Sequence, residues 1–379
     1  MASCLLPTIS YARFSEKIYK RIIQEKIPII GTVEVTSRCN LRCPFCYISH
    51  HHPNRELTYK QICRIIDEIT EQGCLRLLLT GGEPFIRDDF LDIYSYVKKK
   101  GLIIAIFTNG TLITPQTADF LKEWPPYLIE ISLYGITKET YENVTCVSGS
   151  FEKCMRGINL LIENSLPLHL KTLVTTLNKN ELWNIRRFAK DLGVNFRYDP
   201  FINPRFDGSK DPCQFRLSPK EATDIEMAEK KVSNSWLKFH QQFKRQSLQP
   251  DERLFTCGIG HFSFYITADG RLKGCLLLEE PSYDLLQNSF KESWHKLSIE
   301  IRSLKRKKQS RCATCKIATV CNQCPAWSQL EEGDRKKPVT YLCEIAHLRA
   351  EALGIRKKEV SLQWQKKEEF RRSHIATLK

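Results

Sequence analysis

Between residues 29 and 199 the chain alternates six times between a short apolar run and a longer amphipathic one. The short runs, at 29–36, 75–80, 102–108, 128–133, 169–176 and 195–199, have strand length. Thr58 opens the first intervening helix, with Gln61 three residues on in a capping-box pattern. Ile62, Ile65, Ile66 and Ile69 then set one apolar stripe at helical spacing. Further helices are read at 89–100, from Pro115, at 151–164 and at 181–192. Six such units imply a parallel, buried sheet with helices outside, as a doubly wound sheet or as a partial barrel. In either form ligands meet the carboxyl ends of the strands, so chemistry is sought just after each one.

The first strand runs directly into Cys39-Asn40-Leu41-Arg42-Cys43-Pro44-Phe45-Cys46. Three thiols in eight residues can meet at one centre only if the loop wraps around it. Such a density suits zinc or an iron–sulfur cluster. Structural zinc wants four ligands, and His50, His51 and His52 are the candidates for a fourth, although consecutive histidines also suit a solvated loop. A four-iron cluster on three thiolates keeps one iron open for a substrate.

Cys-x3-Cys-x2-Cys with an aromatic before the third Cys, here Phe45, resembles the signature of the radical S-adenosylmethionine (SAM) enzymes. The resemblance implies a partial (β/α)6 TIM-type barrel. It also implies a [4Fe-4S] cluster on Cys39, Cys43 and Cys46, whose open iron chelates SAM. Reductive cleavage of SAM then yields a 5′-deoxyadenosyl radical that takes hydrogen from a substrate. Gly81-Gly82-Glu83-Pro84 follows the second strand and resembles the family's GGE motif. Its glycines allow close backbone approach to a ligand, and Glu83 could pair with the SAM ammonium. Thr108 and Asn109 end the third strand and, by resemblance, line the SAM pocket. Ser132, on the fourth, would contact the ribose. Tyr134 stands where many relatives carry Asp. Leu173, on the fifth, could pack on the adenine or belong to the core. Arg197, Asp199, Arg205 and Asp207 gather at and after the sixth strand, facing the site or closing the barrel by ion pairs. Arg197, Asp199 and Cys213 are the candidates for a catalytic role.

From Cys257 onward the chain is cysteine-rich with little regular periodicity. Cys257 and Cys275 precede Cys312-x2-Cys315-x5-Cys321-x2-Cys324 and Cys343. Two Cys-x2-Cys knuckles alone could be a zinc ribbon. Downstream of such a barrel the set resembles a SPASM domain, which implies two auxiliary [4Fe-4S] clusters. The pattern gives Cys312, Cys315, Cys321 and Cys343 to one, and Cys257, Cys275 and Cys324 to the other, with His261, Cys213 or an open iron completing it. Cys4, Cys63, Cys74, Cys146 and Cys154 read as small hydrophobes.

The expected organisation is an extension (1–28), the barrel (29–200), a linker with a charged helix at 219–243 (201–255), the SPASM region (256–345) and a basic tail (346–379). A basic helix is also expected around 14–24. The apolar runs are too short to span a membrane, and no secretory signal is seen, so a cytoplasmic protein is expected. Sixteen cysteines in a reducing compartment point to metal ligation instead of disulfides. The net charge of +15 would suit an acidic peptide or an acidic flavodoxin- or ferredoxin-type electron donor. No RNA-binding module accompanies it, so nucleic acid is not the expected partner. The expected function is radical SAM maturation of a ribosomally made peptide or protein side chain, by cross-linking, epimerisation or oxidation. A separate protein would then recognise the leader peptide. A small-molecule or cofactor-biosynthetic enzyme is the alternative, and a non-catalytic zinc-stabilised interaction protein a more distant one.

Overall fold

The computed structural model describes residues 10–48, 55–243, 252–306 and 310–356. His50, His51, His52, Cys4 and the basic tail beyond Arg356 lie outside these. The described residues form two compact units. One comprises those up to Phe215 together with Phe255–Leu304; the other comprises Arg216–Leu254 and the residues from Lys305 onward.

In the first unit, α1 (Tyr11–Glu25) is capped by Ser10 and precedes β1 (Ile30–Thr36). Thr58 and Gln61 form the expected capping box of α2 (Tyr59–Glu71), and all four isoleucines of its stripe are buried. Each contributes about 2 kcal/mol by leaving water. The alternation continues through β2 (Arg76–Gly81), α3 (Phe90–Lys99), β3 (Ile103–Thr108), α4 (Pro115–Glu123) and β4 (Leu128–Ser132). After α5 (Lys138–Thr145) and α6 (Ser150–Glu163) come β5 (Leu168–Leu173), α7 (Leu182–Asp191) and β6 (Asn195–Asp199). The helix α5 was not expected. Its sequence, Lys-Glu-Thr-Tyr-Glu-Asn-Val-Thr, is mostly polar, and only Tyr141, Val144 and Thr145 are buried.

Strand order decides between the two architectures. The six strands lie as β6-β5-β4-β3-β2-β1, each parallel to its neighbour. A doubly wound sheet would reverse direction at a switch point. Within these six strands the order never reverses, so they form the singly wound sheet of a partial (β/α)6 barrel. Beyond β1 lie β7 (Ser263–Ile266), parallel to it, then the antiparallel β8 (Arg271–Lys273) and β9 (Ser282–Asp284). They cover the edge that β1 would otherwise expose. These strands, and α10 (Phe290–Ser303), arise where little regular structure was expected. At three or four residues each, the strands are too short to show a period.

Alternate strand residues divide the apolar load. Val33, Val35, Leu77, Leu79, Ile104, Ile106, Ile129, Ile131 and Leu170 are all buried in the core. Their neighbours Thr80, Phe107, Ser132, Lys171, Leu173 and Asp199 line a cavity at the strand ends.

In the second unit the segment expected as one charged helix is two, α8 (Pro219–Ala228) and α9 (Lys230–Phe243). Glu229 takes an extended conformation between them (ψ 108°). They are followed by α11 (Pro325–Glu332) and α12 (Thr340–Ala352). The core is braced by Arg349, fully buried, which donates to Glu226 Oε2 from Nη2 (2.6 Å) and to the Val320 carbonyl from Nη1 (2.6 Å). Its guanidinium also lies 4.3 Å from the Trp236 ring centroid.

Candidate active site

The cysteine loop leaves β1 and is tied down at several points. Arg42 N–H donates to the Thr145 carbonyl at 2.9 Å, and Cys46 N–H to that of Cys43 at 3.0 Å. Asn109, at the end of β3, acts as a bracket. Its Nδ2 donates to Asn40 Oδ1 (3.0 Å) and lies 3.8 Å from Cys39 Sγ. Its Oδ1 accepts from Thr111 N–H (2.9 Å) and Oγ1 (2.6 Å). Asn40 Nδ2 returns to Thr111 Oγ1 at 2.8 Å. The Thr-Asn-Gly segment therefore holds the loop as well as lining the cavity.

The two glycines of the GGE motif line the cavity and also answer a packing demand of the fold. A Cβ on Gly81 would sit 2.1 Å from the Thr36 carbonyl oxygen, and one on Gly82 2.3 Å from that of Arg38. The backbone that approaches so closely is the root of the cysteine loop. Gly82 N–H and Glu83 N–H donate to those same carbonyls, at 2.9 and 2.8 Å. Glu83 is fully buried and not among the residues lining the cavity. Its carboxylate accepts from Thr108 Oγ1 (2.7 Å), Asn109 N–H (2.7 Å) and Phe85 N–H (3.1 Å). Burial outweighs these donors and pushes its pKa up to about 7. In this geometry Glu83 joins the ends of β2 and β3.

A cavity of about 510 Å³ opens over the strand ends. Cys39, Cys43 and Cys46 stand on its wall with Phe45, Gly81, Gly82, Thr108, Asn109, Ser132, Leu173 and Asp199. Phe45 is buried edge-on against Tyr134, ring centroids 5.5 Å apart, in a cluster that includes Leu173 and Ile202. Tyr134 thus supplies apolar packing at a turn where many relatives carry Asp. Leu173 both packs in this cluster and faces the cavity.

The polar residues after β6 separate into different tasks. The half-exposed Arg197 donates from Nε to the buried Glu130 at 2.6 Å in a two-pronged ion pair. Asp199 lines the cavity, accepts from Phe201 N–H at 3.0 Å, and has its pKa raised by burial. Arg205 pairs with Asp211 at 3.2 Å and reaches the Cys46 carbonyl at 3.4 Å. Asp207 accepts from Ser209 N–H at 2.9 Å. Cys213 lies in the short helical turn Asp211–Phe215, away from the cavity wall. Lys171, on β5, lines the cavity and was not foreseen.

The thiols fit a cationic cluster. Burial raises the pKa of Cys39 to about 11, that of Cys46 above the ordinary value and that of Cys43 well above it. Their mutual proximity adds to the effect at Cys39 and Cys43. A cluster bearing positive charge would remove both costs at once. Among the described residues no His, Cys, Asp and Glu group closes around a single ion. A four-iron cluster, whose thiols each bind a separate iron, does not require it.

Residues 33–189 match the sequence model of the radical SAM superfamily. This part of the chain is a radical SAM domain. The protein is accordingly an S-adenosylmethionine-dependent enzyme, with a SAM-binding [4Fe-4S] cluster. An AdoMet-dependent heme synthase of Methanosarcina barkeri is 26% identical over 83% of this chain and 95% of its own. A probable GTP 3′,8-cyclase of Methanocaldococcus jannaschii is 28% identical over 67% of this chain and 87% of its own. By fold, Streptococcus suis SuiB bound to precursor peptide SuiA superposes with a TM-score of 0.64 at 15% identity. That match covers 88% of this chain and 83% of SuiB.

The later cysteines divide between the two units. Cys257 and Cys275 belong to the first, in the turn before β7 and just after β8; His261 also precedes β7. In the second, Cys312 and Cys315 lie close enough to Cys321 and Cys343 to raise the pKa of both. Burial first, then these neighbours, push Cys321 up to about 12 and Cys343 to about 11. Cys324 caps α11. Among the described residues no helix is long and apolar enough to cross a membrane.

Proposed function

We propose that this protein uses SAM bound in the 510 Å³ cavity to abstract a hydrogen atom from a substrate held in the same space. The observation that carries this reading is the convergence of Cys39, Cys43, Cys46, Thr108, Asn109, Ser132 and Leu173 on one cavity wall. When bound, the cluster would supply the electron that cleaves SAM to methionine and the 5′-deoxyadenosyl radical. The chain's own task is to hold and shield. The three thiolates would hold the cluster, Ser132 and Leu173 would receive the ribose and adenine, and Glu83, buried beneath the cavity wall, would keep the ends of β2 and β3 together under the loop. Phe45 and Tyr134 keep water from the loop side.

The substrate we favour is a carboxylated cofactor precursor of the tetrapyrrole kind. Support comes from the heme synthase relative, whose similarity runs through both units and nearly its whole length. A peptide side chain is the second reading, favoured by the fold shared with a peptide-bound SuiB. Under either reading Cys312, Cys315, Cys321 and Cys343 would hold an auxiliary cluster, and a flavodoxin- or ferredoxin-type protein would donate electrons. A separate leader-recognition protein belongs to the peptide reading alone.

The test is hydrogen transfer. The anaerobically reconstituted protein is incubated with SAM, reductant and either a deuterated propionate-bearing porphyrin or a deuterated peptide. Deuterium in 5′-deoxyadenosine with the porphyrin supports the first reading; deuterium only with the peptide selects the second. Cleavage of SAM with no transfer from either would refute both substrate classes.

A further inference from the structure

The floor of the cavity contains an ammonium whose charge the fold does not answer. Lys171 lies midway along β5 on the face that lines the cavity. Its Cα is paired with Ser132 on one side and Arg197 on the other. Its Nζ lies 5.9 Å from the centroid of the Phe107 ring, and the Arg197 guanidinium lies 5.6 Å from the same ring. Two cations thus lie over one aromatic ring. Only one has a counter-ion in contact, because Glu130 binds Arg197 with both oxygens. Glu130 and Asp199 attract Lys171 through space, but neither makes an ion pair with it. Burial and the Arg197 charge lower its pKa. Asp199, paired in register with Leu173 one step nearer the strand ends, is itself held by Phe201 N–H.

An ammonium removed from water without a contacting counter-charge is costly, and it is relieved by an anion arriving in the same space. In the proposed reading SAM would be held against the cysteine loop, on the wall formed by Cys39, Cys43 and Cys46. The charge on the floor is therefore left for the other occupant. We propose that Lys171 is the receptor for a carboxylate of the substrate, rising from the cavity floor on the face of Phe107 and left to that task by the Arg197–Glu130 pair. This deepens the reading of the cavity as the place where SAM and substrate meet, and it rests on that reading. A propionate of a tetrapyrrole and an acidic side chain of a peptide present the same group.

The experiment uses the full-length reconstituted protein with one protectant at a time and no reductant, so it does not depend on turnover. Lysines are acetylated briefly near neutral pH and quantified by peptide mass spectrometry, with the exposed Lys138 as internal control. Protectants are mesoporphyrin and its dimethyl ester, and a short glutamate-containing peptide and its glutamine counterpart. Protection of Lys171 by either acid, with at least about tenfold less by the matching ester or amide, supports the proposal. Whichever acid acts at the lower concentration identifies the source of the carboxylate. Equal protection by acid and neutral analogue, or none by any probe, overturns it. So does full protection by SAM alone, which would place Lys171 in the SAM site, or stronger protection by inorganic phosphate than by any carboxylate. In direct binding by fluorescence quenching, Lys171→Met should weaken the effective acid at least about tenfold, with Lys171→Arg retaining most of it. Thermal melts of both variants establish that they fold. SAM cleavage by the wild-type protein, measured separately, reports on the radical reading and can fail without affecting the protection result.

Discussion

Glu83 offers the sharpest link between the fold of the site and a measurable pH dependence. Its carboxylate receives three donors, yet complete burial raises its pKa from an ordinary 4.5 to about 7. A carboxyl whose pKa is higher in the folded state binds its proton more tightly there. Its contribution is therefore fully present below about pH 4.5 and is lost as pH rises through about 7. The shift corresponds to at most about 3 kcal/mol, of which about 2 kcal/mol is lost above pH 5.5. Glu83→Gln does not titrate and keeps nearly the same shape. The stability difference between wild type and variant should therefore shrink by about 2 kcal/mol between pH 5.5 and pH 8. Urea unfolding of the apo-protein under reducing conditions at the two pH values measures this, and other titrating groups cancel in the difference. A difference that stays constant or grows with pH would refute the reasoning. It would mean that Thr108, Asn109 and Phe85 hold Glu83 ionised throughout.

Two further substitutions test other links. Asn109→Ala leaves the Thr111 N–H and Asn40 Oδ1 without the partner each now has, which should cost about 2–4 kcal/mol. It should also lower iron retained per chain after gel filtration, and unchanged iron would show that the bracket does not position Cys39. Arg349→Met removes the guanidinium that neutralises buried Glu226 and should destabilise the second unit by about 3–5 kcal/mol in thermal melts. Adding Glu226→Leu should recover most of that loss; no recovery would show that Arg349 acts through the Val320 carbonyl and Trp236 instead.

The barrel was legible because its strands are apolar runs and α2 carries a complete stripe and cap. The sheet order was not, since alternation alone suits a doubly wound sheet equally well. Cys39, Cys43, Cys46, Thr108, Asn109 and Ser132 were singled out by cysteine spacing and family resemblance, and all six line the cavity over the strand ends, where a parallel sheet presents ligands. Lys171 was missed for a physical reason. In His-Leu-Lys-Thr-Leu the alternation of polar and apolar residues reads as a solvent face, whereas in a barrel the second face is the lumen. The packing demand on Gly81 and Gly82 was also hidden, because only the folded chain shows that Thr36 and Arg38 press against them. The break at Glu229 left no Pro or Gly to mark it. The polar α5 is held by three buried residues, too few to show a stripe.

The central claim is that the cysteine loop holds a cluster through which SAM is cleaved. Its most direct test is iron and sulfide analysis after strictly anaerobic reconstitution, with SAM and dithionite assayed in the same sample. The account predicts ~12 iron per chain if both auxiliary sets are filled, and release of methionine and 5′-deoxyadenosine. In the Cys39→Ala/Cys43→Ala/Cys46→Ala triple variant, iron should fall by ~4 and cleavage should vanish. Iron unchanged in that variant, or cleavage that survives it, would contradict the account.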